Sequence, residues 1–133
     1  MAKANFVNLR VYQLAERLAD DIWNLVLGWQ IFARDTVGKQ LVRAADSIGA
    51  NISEGVGRGS YQDNRRFVRN ARASLYETQH FLRRAFRRQL LAKSQIQRLQ
   101  PVVEELGPKL NNYLKSIGPR RSATDNGRLT TDK

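Results

Sequence analysis

Cysteine is absent from the 133 residues, and with it go disulfides, thiolate nucleophiles and zinc–cysteine sites. Histidine occurs once, at His80, without a second histidine or a carboxylate cluster around it, so no metal centre and no cofactor is expected. No segment alternates apolar and polar residues over a useful strand length, and no run of about 18 apolar residues exists to span a bilayer. The opening Met1 to Asn8 is polar and lacks an apolar signal core. The simple expectation is a cytoplasmic bacterial protein with no membrane partner. No Ser/His/Asp set has suggestive spacing. Asp46 and Glu54 lie eight residues apart on one segment, but a salt bridge to Arg43 or Arg58 explains such carboxylates better than acid–base chemistry. Nothing argues for an enzyme.

Acid is also scarce where base is dense. The chain carries a net charge of +11, and residues 58–98 hold 11 of its 23 Lys+Arg against only Asp63 and Glu77. Residues 1–57 balance at six of each sign, and the remainder holds six bases and four acids. The excess is therefore a local patch, which points to a polyanion such as RNA or DNA.

What is present is helical periodicity. Val11, Leu14, Ala15, Leu18, Ile22, Leu25 and Val26 form one apolar stripe, widened by Tyr12, Trp23 and Trp29. Asn8 can cap its start, and Gly28 ends it before a link at Ile31–Asp35. A second helix is expected from about Thr36 to Glu54 on Val37, Leu41, Ala44, Ala45, Ile48 and Ile52. Asp35 or Thr36 would cap it, and a left-handed Gly55 would close it. Small residues at Ala44, Ala45, Gly49 and Ala50 invite close helix approach. Ser60 with Asp63 opens a third helix reaching Leu90 or Leu91. Ser94 with Gln97 opens a fourth, whose Ile96, Leu99, Val103, Leu106, Leu110, Tyr113, Leu114 and Ile117 face inward. Pro101 and Pro108 predict a bend or a late start there. These elements predict an all-α protein, an antiparallel up-down-up-down four-helix bundle over 1–117, with a disordered C-terminal tail over 118–133.

The third helix carries the functional signal. At about 100° per residue, Arg65, Arg69, Arg72, Tyr76, Arg83 and Arg87 fall within an arc of roughly 60°. Arg58, Arg66, Arg84 and Arg88 flank them, while Phe67, Ala71, Leu75, Thr78, Leu82, Ala85 and Phe86 collect on the far side. Like charges four apart, as at Arg65/Arg69, Arg83/Arg87 and Arg84/Arg88, repel by a few tenths of a kcal/mol per pair, approximately. Few acids are interleaved to relieve them. The whole set, with Tyr76 able to stack on a base, reads as a nucleic-acid-binding face. A solvated surface or a subunit contact is the bland alternative. The link Gly55-Val-Gly-Arg-Gly-Ser60 lacks a P-loop ending and follows a helix, so it reads as termination and turn. Asn51 borders the second stripe and needs a partner: Glu54, a neighbouring helix or another subunit.

The stretch Leu41-Val-Arg-Ala-Ala-Asp-Ser-Ile-Gly-Ala-Asn-Ile-Ser-Glu-Gly-Val-Gly-Arg58 resembles the signature of four-helix-bundle proteins encoded in intervening sequences of bacterial 23S ribosomal RNA genes, the S23-type proteins. The opening Asn5-Phe-Val-Asn-Leu-Arg-Val-Tyr-Gln-Leu-Ala is similar to the family's start, although Tyr12 stands where Trp is common. Phe67 to Gln79 is similar to its third-helix motif. The resemblance covers about residues 5–117. It makes Arg43, Ser47, Asn51, Glu54 and Gly55 structural motif residues, and it implies an antiparallel four-helix bundle and a closed homopentamer. It also brings in a relative, the accessory protein of diversity-generating retroelements, a basic pentameric bundle that works with a reverse transcriptase and nucleic acid. Departures are Gly49, where Pro is frequent, and the arginine load of the third helix. The rival to nucleic-acid binding is an interaction scaffold docking an acidic partner such as a reverse transcriptase.

Overall fold

A computed structural model describes residues 5–119. From residue 120 onward the expected tail lies outside the described residues. After a 3-10 turn at Asn5–Asn8, α1 spans Arg10–Leu27. Helix α2 opens as a short α-turn at Ile31–Ala33, passes through a π-helical turn at Arg34–Gly38, and continues as α-helix over Lys39–Val56. Helix α3 spans Tyr61–Arg87 and α4 spans Lys93–Ser116, and no strand occurs among the described residues. Helix α1 packs on α2 and α4, α3 packs on α2 and α4, and the diagonal pairs lie farther apart. The result is an antiparallel up-down-up-down four-helix bundle.

The apolar stripes become the core. Leu18, Ile22, Leu41, Ile48, Ile52, Leu106 and Leu110 are fully buried, each stabilising the fold by about 1.5–3 kcal/mol relative to an exposed side chain. Trp23 departs from expectation. It sits one position beyond the buried Ile22, which turns it outward, and it is 51% exposed. With Leu27, Ile31 and Phe32, also exposed, it makes an apolar corner where α1 hands over to α2.

Several helix ends also differ from expectation. Leu9, and not Asn8, caps α1, without a side-chain hydrogen bond. The expected link at Ile31–Asp35 is already helical, because the Gln30 side chain accepts from Phe32 N at 2.9 Å and starts the turn. Thr36 then donates its hydroxyl to Phe32 O at 2.7 Å within the π-helical turn. A Cβ on Gly38 would lie 2.7 Å from Val26 Cγ1, so only glycine lets this turn sit against α1.

Gly55 does not close α2. It lies inside the helix and buried, where a Cβ would come within 2.5 Å of Asn64 Oδ1 and 3.1 Å of Phe67 Cβ. Its role is close approach of α3; the left-handed residue of the following link is Gly59, at φ +81°. Ser60 caps α3 as expected, accepting from Asp63 N at 3.1 Å. Helix α3 stops at Arg87, short of Leu90, with Gln89 at φ +64° reversing the chain. Helix α4 begins at Lys93, one residue ahead of the predicted cap Ser94, and Gln95 accepts from Ala92 N at 2.8 Å. Pro101 and Pro108 both lie inside this one helix, so neither delays its start.

Candidate nucleic-acid interface

Because α3 is one uninterrupted helix, the arginine register read along the sequence holds in space. Its buried side carries Val68, Ala71, Ser74, Leu75, Thr78, Leu82 and Ala85. Phe86, expected among them, is 47% exposed. The arginine side runs along the seam with α4. Arg65 Nη1 donates to Ile117 O at 2.8 Å, and Arg72 Nη1 donates to Asn111 Oδ1 at 3.1 Å. The first contact sets a cation on the free carbonyl end of α4, a favourable pairing with the helix dipole. Both guanidiniums are held by neutral oxygens, so they keep their full charge.

Between these two anchors Arg69 is exposed, and Arg65, Arg69, Arg72, Asn111 and Lys115 line a groove of about 730 Å³ with no carboxylate in its wall. Asn111 and Lys115 carried no signal in the sequence; they join only because α4 lies antiparallel beside α3. Higher on the same face Tyr76 is 62% exposed, followed by Arg83 and Arg87, also exposed. Arg84 is half-buried and Arg88 exposed at the end of the helix. Arg69, Arg72, Arg83, Arg84, Arg87 and Arg88 make no ion pair among the described residues.

Arg58 and Arg66 behave differently. Their guanidiniums lie 4.7 and 4.8 Å from the Phe67 ring centroid. Arg58 pairs with Glu54 at 3.1 Å and Arg66 with Asp63 at 3.4 Å. Their charge is partly compensated, and their stems cover an aromatic ring.

The motif residues of α2 point inward to the α2–α3 contact or outward to solvent. Ser47 Oγ and Ser74 Oγ are 2.9 Å apart, and Asn51 Nδ2 donates to Ser47 O at 2.8 Å and Ser47 Oγ at 3.0 Å. Asn51 therefore bonds within its own helix and not to Glu54. Arg43 is exposed and makes no ion pair among the described residues. Asp46 is largely exposed on α2, and partial desolvation of its carboxyl, then the nearby Asp20 charge, raise its pKa. Glu16, Asp20 and Asp46 line a groove of about 340 Å³ between α1 and α2, on the side of the bundle opposite the arginine groove. No cluster suited to a metal ion occurs among the described residues. His80 is exposed, with its ring edge-on to Phe81 at 5.0 Å.

Fold and surface together define a small all-helical bundle with one basic seam. Residues 7–112 match the family described as 23S rRNA-intervening sequence protein, and the chain belongs to that family. No curated protein matches the sequence significantly. No helix among the described residues is long and apolar enough to cross a membrane.

Proposed function

We propose that this protein is a non-enzymatic, cytoplasmic, homo-oligomeric bundle that binds RNA or DNA through backbone phosphates. The observation that carries this reading is the α3–α4 groove, where Arg65, Arg69, Arg72 and Lys115 converge without an acid. Phosphate recognition of this kind is salt-dependent and weak in sequence preference. Filter binding across a salt series tests it. A steep fall in affinity with salt is expected. A flat response, or full affinity after combined Arg69/Arg72/Arg83/Arg87→Ala substitution, would sink the idea.

The exposure of Trp23, Leu27, Ile31 and Phe32, within ten residues of one another, supports self-association, since clustered apolar surface marks contact sites. A ring, with the five copies that the family resemblance implies, would repeat the basic seam and add avidity. Light scattering should report an oligomer that Phe32→Glu dissociates. The rival reading, an accessory scaffold for an acidic partner such as a reverse transcriptase, predicts a stoichiometric protein recovered from nuclease-treated extract. Co-purified nucleic acid favours the phosphate-binding reading.

A further inference from the structure

The α3–α4 seam holds more than charge. At one end lies the Arg65/Arg69/Arg72/Lys115 groove. One turn beyond Arg72, Tyr76 projects a ring that is 62% exposed. Farther along, a second groove of about 370 Å³ is walled by Leu82, Phe86, Ile96 and Val103, with the side-chain amides of Gln79 and Gln100 and one carboxylate, Glu104, in its lining. Along the helix, Arg69 to Phe86 covers roughly 25 Å at 1.5 Å per residue.

A double helix engages only the first of these features. It offers phosphates, but its base faces are stacked away from an aromatic ring and from an apolar groove. A single strand offers phosphates and free base faces along the same line, and any base can stack on an exposed aromatic. Resting on the polyanion reading above, we infer that the seam is built for single-stranded nucleic acid. Phosphates occupy the arginine groove, the next base stacks on Tyr76, and a base farther along enters the Leu82/Phe86/Ile96 groove. There Gln100 already donates from Nε2 to Glu104 Oε2 at 2.9 Å, which leaves its carbonyl oxygen and the Gln79 amide to meet a base edge. Arg83, which also lines this groove, carries the backbone charge past it.

The test uses the full chain and a labelled RNA of about 15 nucleotides, offered alone and as a duplex with its complement, by fluorescence anisotropy at one salt concentration. The single strand should bind about tenfold or more tightly than the duplex. Tyr76→Ala should weaken single-strand binding about tenfold and leave duplex binding within about twofold, whereas Tyr76→Phe should retain both. Arg69→Ala should weaken both forms alike. Circular dichroism confirms that each variant is folded, which the exposure of Tyr76 favours. Equal affinity for the two forms, or an unaffected single-strand affinity in Tyr76→Ala, overturns the inference while salt-dependent binding still stands. Failure of both RNAs to bind overturns the inference together with the polyanion reading. Loss of affinity in Tyr76→Ala accompanied by a change in oligomer size assigns the ring to a contact between copies, and overturns the inference too.

Discussion

Ser47 and Ser74 bring their hydroxyl oxygens to 2.9 Å across the α2–α3 contact, and Asn51 extends the chain by donating to Ser47. Thr78 meanwhile turns its hydroxyl back to Ser74 O at 2.8 Å in a fully buried position. Removing Ser47 takes the partner of Ser74 Oγ, and removing Ser74 or Asn51 takes one of the two partners of Ser47 Oγ. Asn51→Ala and Ser74→Ala should each destabilise the fold by about 0.5–2 kcal/mol. A Ser47→Ala/Ser74→Ala double-mutant cycle read by urea unfolding should show coupling of about 0.5 kcal/mol or more.

Gly55→Ala is expected to destabilise by about 1–3 kcal/mol, despite alanine's better helix propensity. The added methyl would meet Asn64 Oδ1 at 2.5 Å and the Phe67 Cβ at 3.1 Å. Asn64 Oδ1 is buried without a hydrogen-bond partner among the described residues, so shortening that side chain removes the collision at little cost. The double variant Gly55→Ala/Asn64→Ala should therefore recover part of the loss in urea midpoint.

Arg65 and Arg69 should separate folding from binding. Arg69→Ala touches no other group by hydrogen bond among the described residues, and should lower the salt slope of RNA binding by about one with melting temperature unchanged. Arg65→Ala also frees the Ile117 carbonyl that it caps at 2.8 Å. It should lower both affinity and melting temperature.

Stability should respond to acid through two carboxylates whose pKa values shift in opposite directions. The Asp46 pKa is raised by partial desolvation and then by Asp20. Its folded form holds a proton more tightly than its unfolded form. That contribution is present below the unfolded value of about 3.8 and is lost as pH rises through the folded value. Asp46→Asn should therefore match or exceed the parent at neutral pH and converge with it in acid. Glu105 is lowered chiefly by its hydrogen bond from Arg10, whose Nε and Nη2 reach the two carboxylate oxygens at 2.9 and 3.0 Å. Its contribution is present above the unfolded value of about 4.5 and is lost as pH falls through the folded value. Urea midpoints of Glu105→Gln should approach those of the parent in acid.

The bundle was legible because each helix repeats its apolar residues at helical spacing, and Val11 to Val26 or Leu41 to Ile52 need no partner to show it. The start of α2 was not. Ile31 and Phe32 are exposed apolar residues that break the stripe, and the close approach of Gly38 to Val26 shows only once the helices are packed. Val102 is buried beside Pro101 and was missed, since proline argued against regular helix there. The arginine azimuth on α3 was readable from spacing alone. The groove was not, because Asn111 and Lys115 reach it from another helix, and the rotation of one helix against the next leaves no trace in either periodicity.

The acidic groove of α1–α2 and the basic groove of α3–α4 lie on opposite flanks of the same rod. The molecule is therefore a permanent electric dipole set across its width. A charged strand would exert a torque on it before any contact, turning the arginines inward and the carboxylates away. Orientation would then be decided during approach, and salt would slow the rate of capture as well as loosen the complex.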